Sequence, residues 1–291
     1  MLLRGSLVAI VTPFDGEEVA GGTLARLIER QLDAGTHGVV VCGTTGEAPT
    51  LAAGEVAAAV SLARQVIRGR VPLLVGTGTN VTRSTVERTR QAYALGADAA
   101  LVVTPYYNKP TAAGLFAHYG TVAREGGLPL VAYTVPGRTG AKPSTATLLS
   151  LCRIPGVVGL KEASGDLVLA TQLAAELGEG FALLCGEDAL ALPFWAVGGQ
   201  GTVSVTANVD PARCSRMWEA FAAEDLPRAR QLNRELFALH QALFWESNPI
   251  PVKEALHQLG LCSPELRLPL TRMSPELRPK LGELLRELGL P

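Results

Sequence analysis

The chain has 291 residues, enough for one large barrel or two ordinary domains. Apolar residues make up 47% and charged residues 18%, which fits a soluble protein with a large core. With 26 Lys and Arg against 27 Asp and Glu the net charge is −1, so neither nucleic acid nor an acidic membrane surface is an expected partner.

No apolar run reaches the roughly 18 residues of a membrane span. The N-terminus shows no signal-peptide pattern, and none is expected. The cysteines are Cys42, Cys152, Cys185, Cys214 and Cys262, an odd number with no C-x-x-C, which reads as reduced thiols in a cytoplasmic protein. The histidines His37, His118, His240 and His257 form no H-E-x-x-H or similar pattern, so no metal site is expected.

Eight short apolar runs recur at even spacing, over residues 6–11, 38–41, 72–76, 99–103, 129–133, 157–161, 182–185 and 201–205. They are continuous rather than alternating, the pattern of parallel strands buried on both faces. Helical segments lie between them. Over 23–34, Leu24, Leu27, Ile28 and Leu32 share one face and Gly35 follows as a C-cap; 82–95 is similar and ends at Gly96. Eight strand–helix repeats over about 210 residues indicate an α/β fold of the TIM (β/α)8 barrel type. A doubly wound open sheet is the alternative, weakened by the absence of G-x-G-x-x-G after the first strand.

The barrel repeats account for 1–208. Residues 209–291 read as a closing helix plus a C-terminal helical extension of the same domain, either packed on the barrel or forming a subunit contact. Asp210-Pro211, Ser263-Pro264-Glu265 and Ser274-Pro275-Glu276 each pair an N-cap candidate with a proline, so each is expected to open a helix.

A TIM barrel carries its active site at the C-terminal ends of its strands. The residues there include Gly43-Thr44-Thr45-Gly46-Glu47, Thr104-Pro105-Tyr106-Tyr107, Tyr133, Lys161-Glu162 and Gly186-Glu187-Asp188. Lys161 is the only one of five lysines that ends an apolar run. Burying an ammonium costs several kcal/mol unless its pKa falls, and a dry neutral amine attacks ketones. The other reading is a lysine paired with Glu162. Tyr133, ending the preceding strand, is either a proton shuttle beside that amine or a satisfied core tyrosine. The Gly43–Glu47 stretch is either a carboxylate cradle of N–H and hydroxyl groups or an ordinary tight turn. Arg138, in Val135-Pro136-Gly137-Arg138-Thr139-Gly140, is either a carboxylate fork or a solvated loop residue.

Together these residues resemble the dihydrodipicolinate synthase/N-acetylneuraminate lyase family of pyruvate-dependent class I lyases. The resemblance runs from Thr12-Pro13-Phe14 to Asn248-Pro249-Ile250-Pro251-Val252-Lys253 and is marked by Gly43–Glu47 and Gly159-Leu160-Lys161-Glu162. Pro105-Tyr106-Tyr107-Asn108-Lys109-Pro110 and the Arg138 loop resemble the synthase branch. The resemblance implies that Lys161 forms the imine with pyruvate, that Thr45 binds its carboxylate, and that Tyr133, Thr44 and Tyr107 relay protons. It implies that Arg138 holds the carboxylate of L-aspartate 4-semialdehyde, and that Gly186 and Val203 line the pyruvate pocket. Tyr107 is expected to cross into a neighbouring subunit's site, giving a homo-oligomer, a tetramer of tight dimers. No metal or organic cofactor is implied.

Some positions depart from the family. Thr134 and Gly137 stand where Asn and Ser are common. Asn80 and Tyr106 match the lysine feedback pocket of some members, but Ala53, Val56 and Ser84 replace two histidines and a glutamate, and Ala48 replaces a serine. Feedback by L-lysine is therefore expected to be weak or absent. Two other functions stay open: a sibling lyase acting on a sugar-acid or sialic-acid type aldehyde, and a non-catalytic 2-oxo-acid sensor.

Overall fold

Strands whose two faces are both covered need apolar side chains at every position, and all eight runs are buried in this way. A computed structural model describes residues 3–290. The runs form β1 (Gly5–Ala9), β2 (Gly38–Val41), β3 (Leu73–Gly76), β4 (Ala99–Val103), β5 (Leu130–Thr134), β6 (Val157–Glu162), β7 (Ala182–Cys185) and β8 (Gly201–Ser204). Each pairs in parallel with its sequence neighbours, and β8 pairs with β1 to close the barrel. The doubly wound alternative is thereby removed.

The period of two is hidden within the runs. Leu7, Val131, Tyr133, Leu184 and Val203 point into the barrel and pack on one another. Val8, Leu130, Ala132 and Leu183 point outward into a larger core shared with the helices. Each such aliphatic side chain stabilises the fold by about 1.5–3 kcal/mol on full burial.

Helices α1 (Gly21–Asp33), α2 (Ala53–Ile67), α3 (Thr82–Ala94), α4 (Ala112–Glu125), α5 (Thr145–Cys152), α6 (Leu167–Leu177), α7 (Ala191–Ala196) and α8 (Pro211–Ala222) surround the strands. The expected glycine stops are present at α1 and α3. Gly35 (φ +81°) donates to Leu32 and Thr36 to Gln31; Gly96 (φ +83°) donates to Tyr93 and Ala97 to Ala92. Both ends are Schellman motifs, in which a left-handed glycine lets the chain satisfy the last carbonyls and turn into the next strand.

Beyond α8 lie α9 (Leu226–Ala242), α10 (Ile250–Gln258) and α11 (Leu277–Glu287). Leu232, Leu236, Leu239, Val252, Leu256, Leu281 and Leu285 join the outer core, so these helices pack on the barrel. The closing helix starts as expected, with the Asp210 carboxylate accepting from the Arg213 N–H.

Two expected helix starts need correction. Ser263-Pro264-Glu265 opens no helix; the chain runs on irregularly to residue 274. Pro269 follows Pro264 too closely, since it would remove a helical N–H and strike the carbonyl of Glu265. Ser274-Pro275-Glu276 also fails to cap, because the Ser274 hydroxyl and N–H both donate to the Glu246 carboxylate. Helix α11 therefore begins later, at Leu277.

Candidate active site

Register brings the two sharpest sequence candidates together. Tyr133 of β5 lies opposite Lys161 of β6. A bulge sets this phase: Leu130 faces Val157, but Val131 faces Gly159, so β6 carries one extra residue. Without it Lys161 would face Thr134, whose side chain alternates to the other side of the strand from Tyr133. Gly159 permits the close packing here, because a Cβ would lie 2.8 Å from the Ala182 carbonyl oxygen.

Lys161 is buried (6% exposed), with Nζ 4.3 Å from the centroid of the Tyr133 ring. Among the described residues no carboxylate reaches it within 4 Å, so pairing with Glu162 is ruled out. The Glu162 carboxylate instead accepts from the Ser164 N–H at 2.7 Å, and burial raises its pKa. Burial also raises the Glu187 carboxyl; neighbouring Asp188 adds to this and the Lys161 charge opposes it. The Cys42 thiol beside the site is pushed up to about 12 by burial, which leaves it a poor nucleophile next to an unpaired amine.

The backbone holds both side chains firmly. The Tyr133 carbonyl accepts from the N–H (2.8 Å) and the hydroxyl (3.1 Å) of Thr104. Gly186 donates to the Glu162 carbonyl at 2.7 Å, and a Cβ there would sit 2.8 Å from Lys161 Cε. Any side chain at 186 would push the lysine stem aside. Val203 is buried in the barrel interior, in the same apolar cluster as Tyr133 and Leu184.

A cavity of about 360 Å³ opens above this pair. Thr44, Tyr133, Arg138 and Asn248 line it, while Lys161 is not in the wall itself and reaches it through its contact with the Tyr133 ring. Thr45 is buried beside it, its Oγ1 accepting from Asn248 Nδ2 at 2.9 Å. Arg138 is exposed at the rim and donates from Nη2 to the Asn248 carbonyl at 3.0 Å. Of the predicted residues Thr44, Tyr133 and Arg138 line the cavity, Lys161, Thr45, Gly186 and Val203 are not in its wall, and Tyr107 is 90% exposed, in a left-handed conformation (φ +69°), and also outside it.

The turn that presents Thr44 and Thr45 is fixed from both ends. Cys42 and Glu47 both adopt φ +53°, unusual for residues with a side chain. Glu47 is held there by Lys253 Nζ at 2.5 Å and by the Arg267 N–H at 3.1 Å. Lys253 also donates to the Glu265 carbonyl and lies on the Phe14 ring. At the end of β3, Gly76 is required because a Cβ would meet the Cys42 carbonyl oxygen at 2.0 Å.

Sequence reasoning assigned no role to Asn248, Lys253, Pro269 or Leu270, although Asn248, Pro269 and Leu270 line the cavity. The available signal was the Asn248-Pro249-Ile250-Pro251 stretch, whose polar residue in a connection just before prolines invites a specific partner.

A family model described as the Dihydrodipicolinate synthetase family matches residues 2–288. The 4-hydroxy-tetrahydrodipicolinate synthase of Magnetococcus marinus is 43% identical over 289 residues, covering 99% of each chain. The crystal structure of dihydrodipicolinate synthase from Aquifex aeolicus superposes with a TM-score of 0.96 at 43% identity, covering 99% of each chain. The chloride-inhibited dihydrodipicolinate synthase of Acinetobacter baumannii complexed with pyruvate superposes at 0.97, also at 43% identity, over 99% of this chain and 100% of that one.

Proposed function

The chain belongs to the Dihydrodipicolinate synthetase family, and from that premise we propose that it condenses pyruvate with L-aspartate 4-semialdehyde through a Schiff base on Lys161, in lysine and diaminopimelate biosynthesis. The observation that carries the reading is the buried, unpaired amine on the face of Tyr133 at a barrel mouth.

The amine of Lys161 in its unprotonated form attacks C2 of pyruvate, and the resulting carbinolamine takes up a proton and loses water to leave a cationic imine. That charge acidifies the adjacent methyl group, and loss of a proton gives an enamine. The enamine carbon attacks the aldehyde carbon, whose oxygen takes up a proton. The amino group of the former semialdehyde then attacks the imine carbon, and the amine of Lys161 leaves as the ring closes. Tyr133, Thr44 and Tyr107 carry the protons between steps. Thr45 binds the pyruvate carboxylate, and Gly186 and Val203 leave room for the small keto acid. Arg138, at the rim, grips the carboxylate of the semialdehyde in bidentate fashion, a contact that a neutral sugar acceptor lacks.

Tyr107 supports an oligomeric reading, since its ring is 90% exposed and does not line the cavity of its own chain. The assembly is a tetramer of tight dimers. The free cysteines fit the reducing cytoplasm. Among the described residues no helix is long and apolar enough to cross a membrane.

Two measurements test the proposal. Borohydride added with pyruvate should fix a mass increase on Lys161. The ratio kcat/KM should favour aspartate semialdehyde over sugar-derived aldehydes by orders of magnitude. A trapped adduct without turnover would identify a 2-oxo-acid sensor, and a preference for sugar acids would identify a sibling lyase.

A further inference from the structure

Asn248 sits between the barrel mouth and the C-terminal helices, buried at 5% exposure and in the wall of the cavity. Two contacts leave it. Its side-chain Nδ2 donates to Thr45 Oγ1 at 2.9 Å, and its backbone carbonyl accepts from Arg138 Nη2 at 3.0 Å. Its Oδ1 is buried and has no partner among the described residues, so the amide is committed to Thr45 through its donor end.

The direction of that bond decides what Thr45 can do. A hydroxyl has one proton and two lone pairs, whereas an ionised carboxylate only accepts. A threonine that grips a carboxylate must therefore spend its proton on it. When Thr45 Oγ1 accepts from an amide N–H, its proton stays free and points elsewhere. An acceptor atom facing Thr45 would draw that proton away. On the other side, one guanidinium N–H of Arg138 is tied to a fixed carbonyl, and the residue lines the cavity with its other donors uncommitted to that carbonyl.

We propose that Asn248 is a positioning residue that sets the Thr45 hydroxyl as a donor to the keto acid and holds Arg138 toward the second substrate, so that one residue spaces the two carboxylate grips. The inference rests on the roles given above to Thr45 and Arg138.

Asn248→Asp separates the two contacts. The substitution keeps size and the backbone carbonyl, hence the hold on Arg138, but turns the donor into an acceptor-only carboxylate. Thr45 then donates to Asp, and a negative charge faces pyruvate. KM for pyruvate, and the pyruvate concentration that half-saturates borohydride trapping, should rise about ten- to hundredfold. KM for the semialdehyde should stay within about threefold. Protonating the new carboxyl restores a donor, so the pyruvate defect relative to wild type should shrink as pH falls from about 8 to 5. Asn248→Ala, which loses the donor without adding charge, should show a smaller defect that does not change with pH. It carries the test if circular dichroism shows the aspartate variant unfolded.

A pyruvate KM unchanged in both variants, or an equal rise in both KM values with no pH dependence, would overturn the inference. Wild-type protein that pyruvate and borohydride leave unmodified would bring down the Lys161 reading itself, and this one with it.

Discussion

Two lysines of this chain are buried, and they are opposites. Lys253 is fully enclosed and neutralised by Glu47 at 2.5 Å, with desolvation drawing its pKa down against the pull of that carboxylate. Lys161 has no such partner and lies on an aromatic face. Removing each should therefore have opposite consequences. Lys161→Ala should abolish nearly all turnover while leaving the unfolding free energy unchanged or slightly raised, since no ion pair is broken. Lys253→Met strands the Glu47 carboxylate in the core and should destabilise the protein by about 3–5 kcal/mol, most of it recovered by adding Glu47→Gln. Urea titration with an activity assay reads both. Lys161 was legible in sequence because it is the only lysine to end an apolar run, and Tyr133 because it ends the neighbouring run. Asn248 was not, because its value lies in reaching Thr45, 203 positions away in the chain, a contact that no local pattern encodes.

At the scale of elements, the strands and the first helices could be read directly, since continuous burial and glycine stops leave marks a few residues long. The bulge in β6 left none: it exists only in the register of β6 against β5, between positions almost thirty residues apart in the chain. Nor did the course of the C-terminal segment, whose prolines resemble helix starts but lead into an irregular wall for the site. Arg267 fastens that wall. It donates to the Thr50 carbonyl at 2.9 Å, to both Glu55 oxygens and to the Glu17 carbonyl, with its guanidinium on the Phe14 ring. The hydrogen bond from Arg267 holds the Glu55 carboxyl down at about 2, against a usual 4.5. A carboxyl depressed on folding stabilises fully above its unfolded pKa and loses that contribution as pH falls through the folded value. The stability gap between wild type and Glu55→Gln should thus be constant above about pH 5 and close between about pH 4.5 and 2. Both groups are partly solvated, so the gap itself is modest. A gap that widened on acidification would mean that Glu55 is not ionised in the folded protein.

At the scale of the whole molecule, regulation and assembly each have a decisive measurement. Ala53, Val56 and Ser84 stand where lysine-sensitive relatives are expected to carry two histidines and a glutamate. A lysine ammonium bound among these positions finds no carboxylate on them. L-Lysine should therefore inhibit weakly or not at all, and half-maximal inhibition at micromolar concentration would contradict this. Assembly can be tested by mixing two inactive proteins. In Lys161→Ala the nucleophile is lost but Tyr107 is intact; in Tyr107→Phe the reverse holds. If Tyr107 serves the neighbouring site, a mixed dimer contains one site with an intact lysine and an intact tyrosine, and one site lacking both. Random re-pairing makes half of the dimers mixed, so about a quarter of wild-type activity should return. If Tyr107 serves its own chain, every site in the mixture lacks one group and nothing returns. The exposed, left-handed placement of Tyr107, away from the cavity of its own barrel, favours the first result.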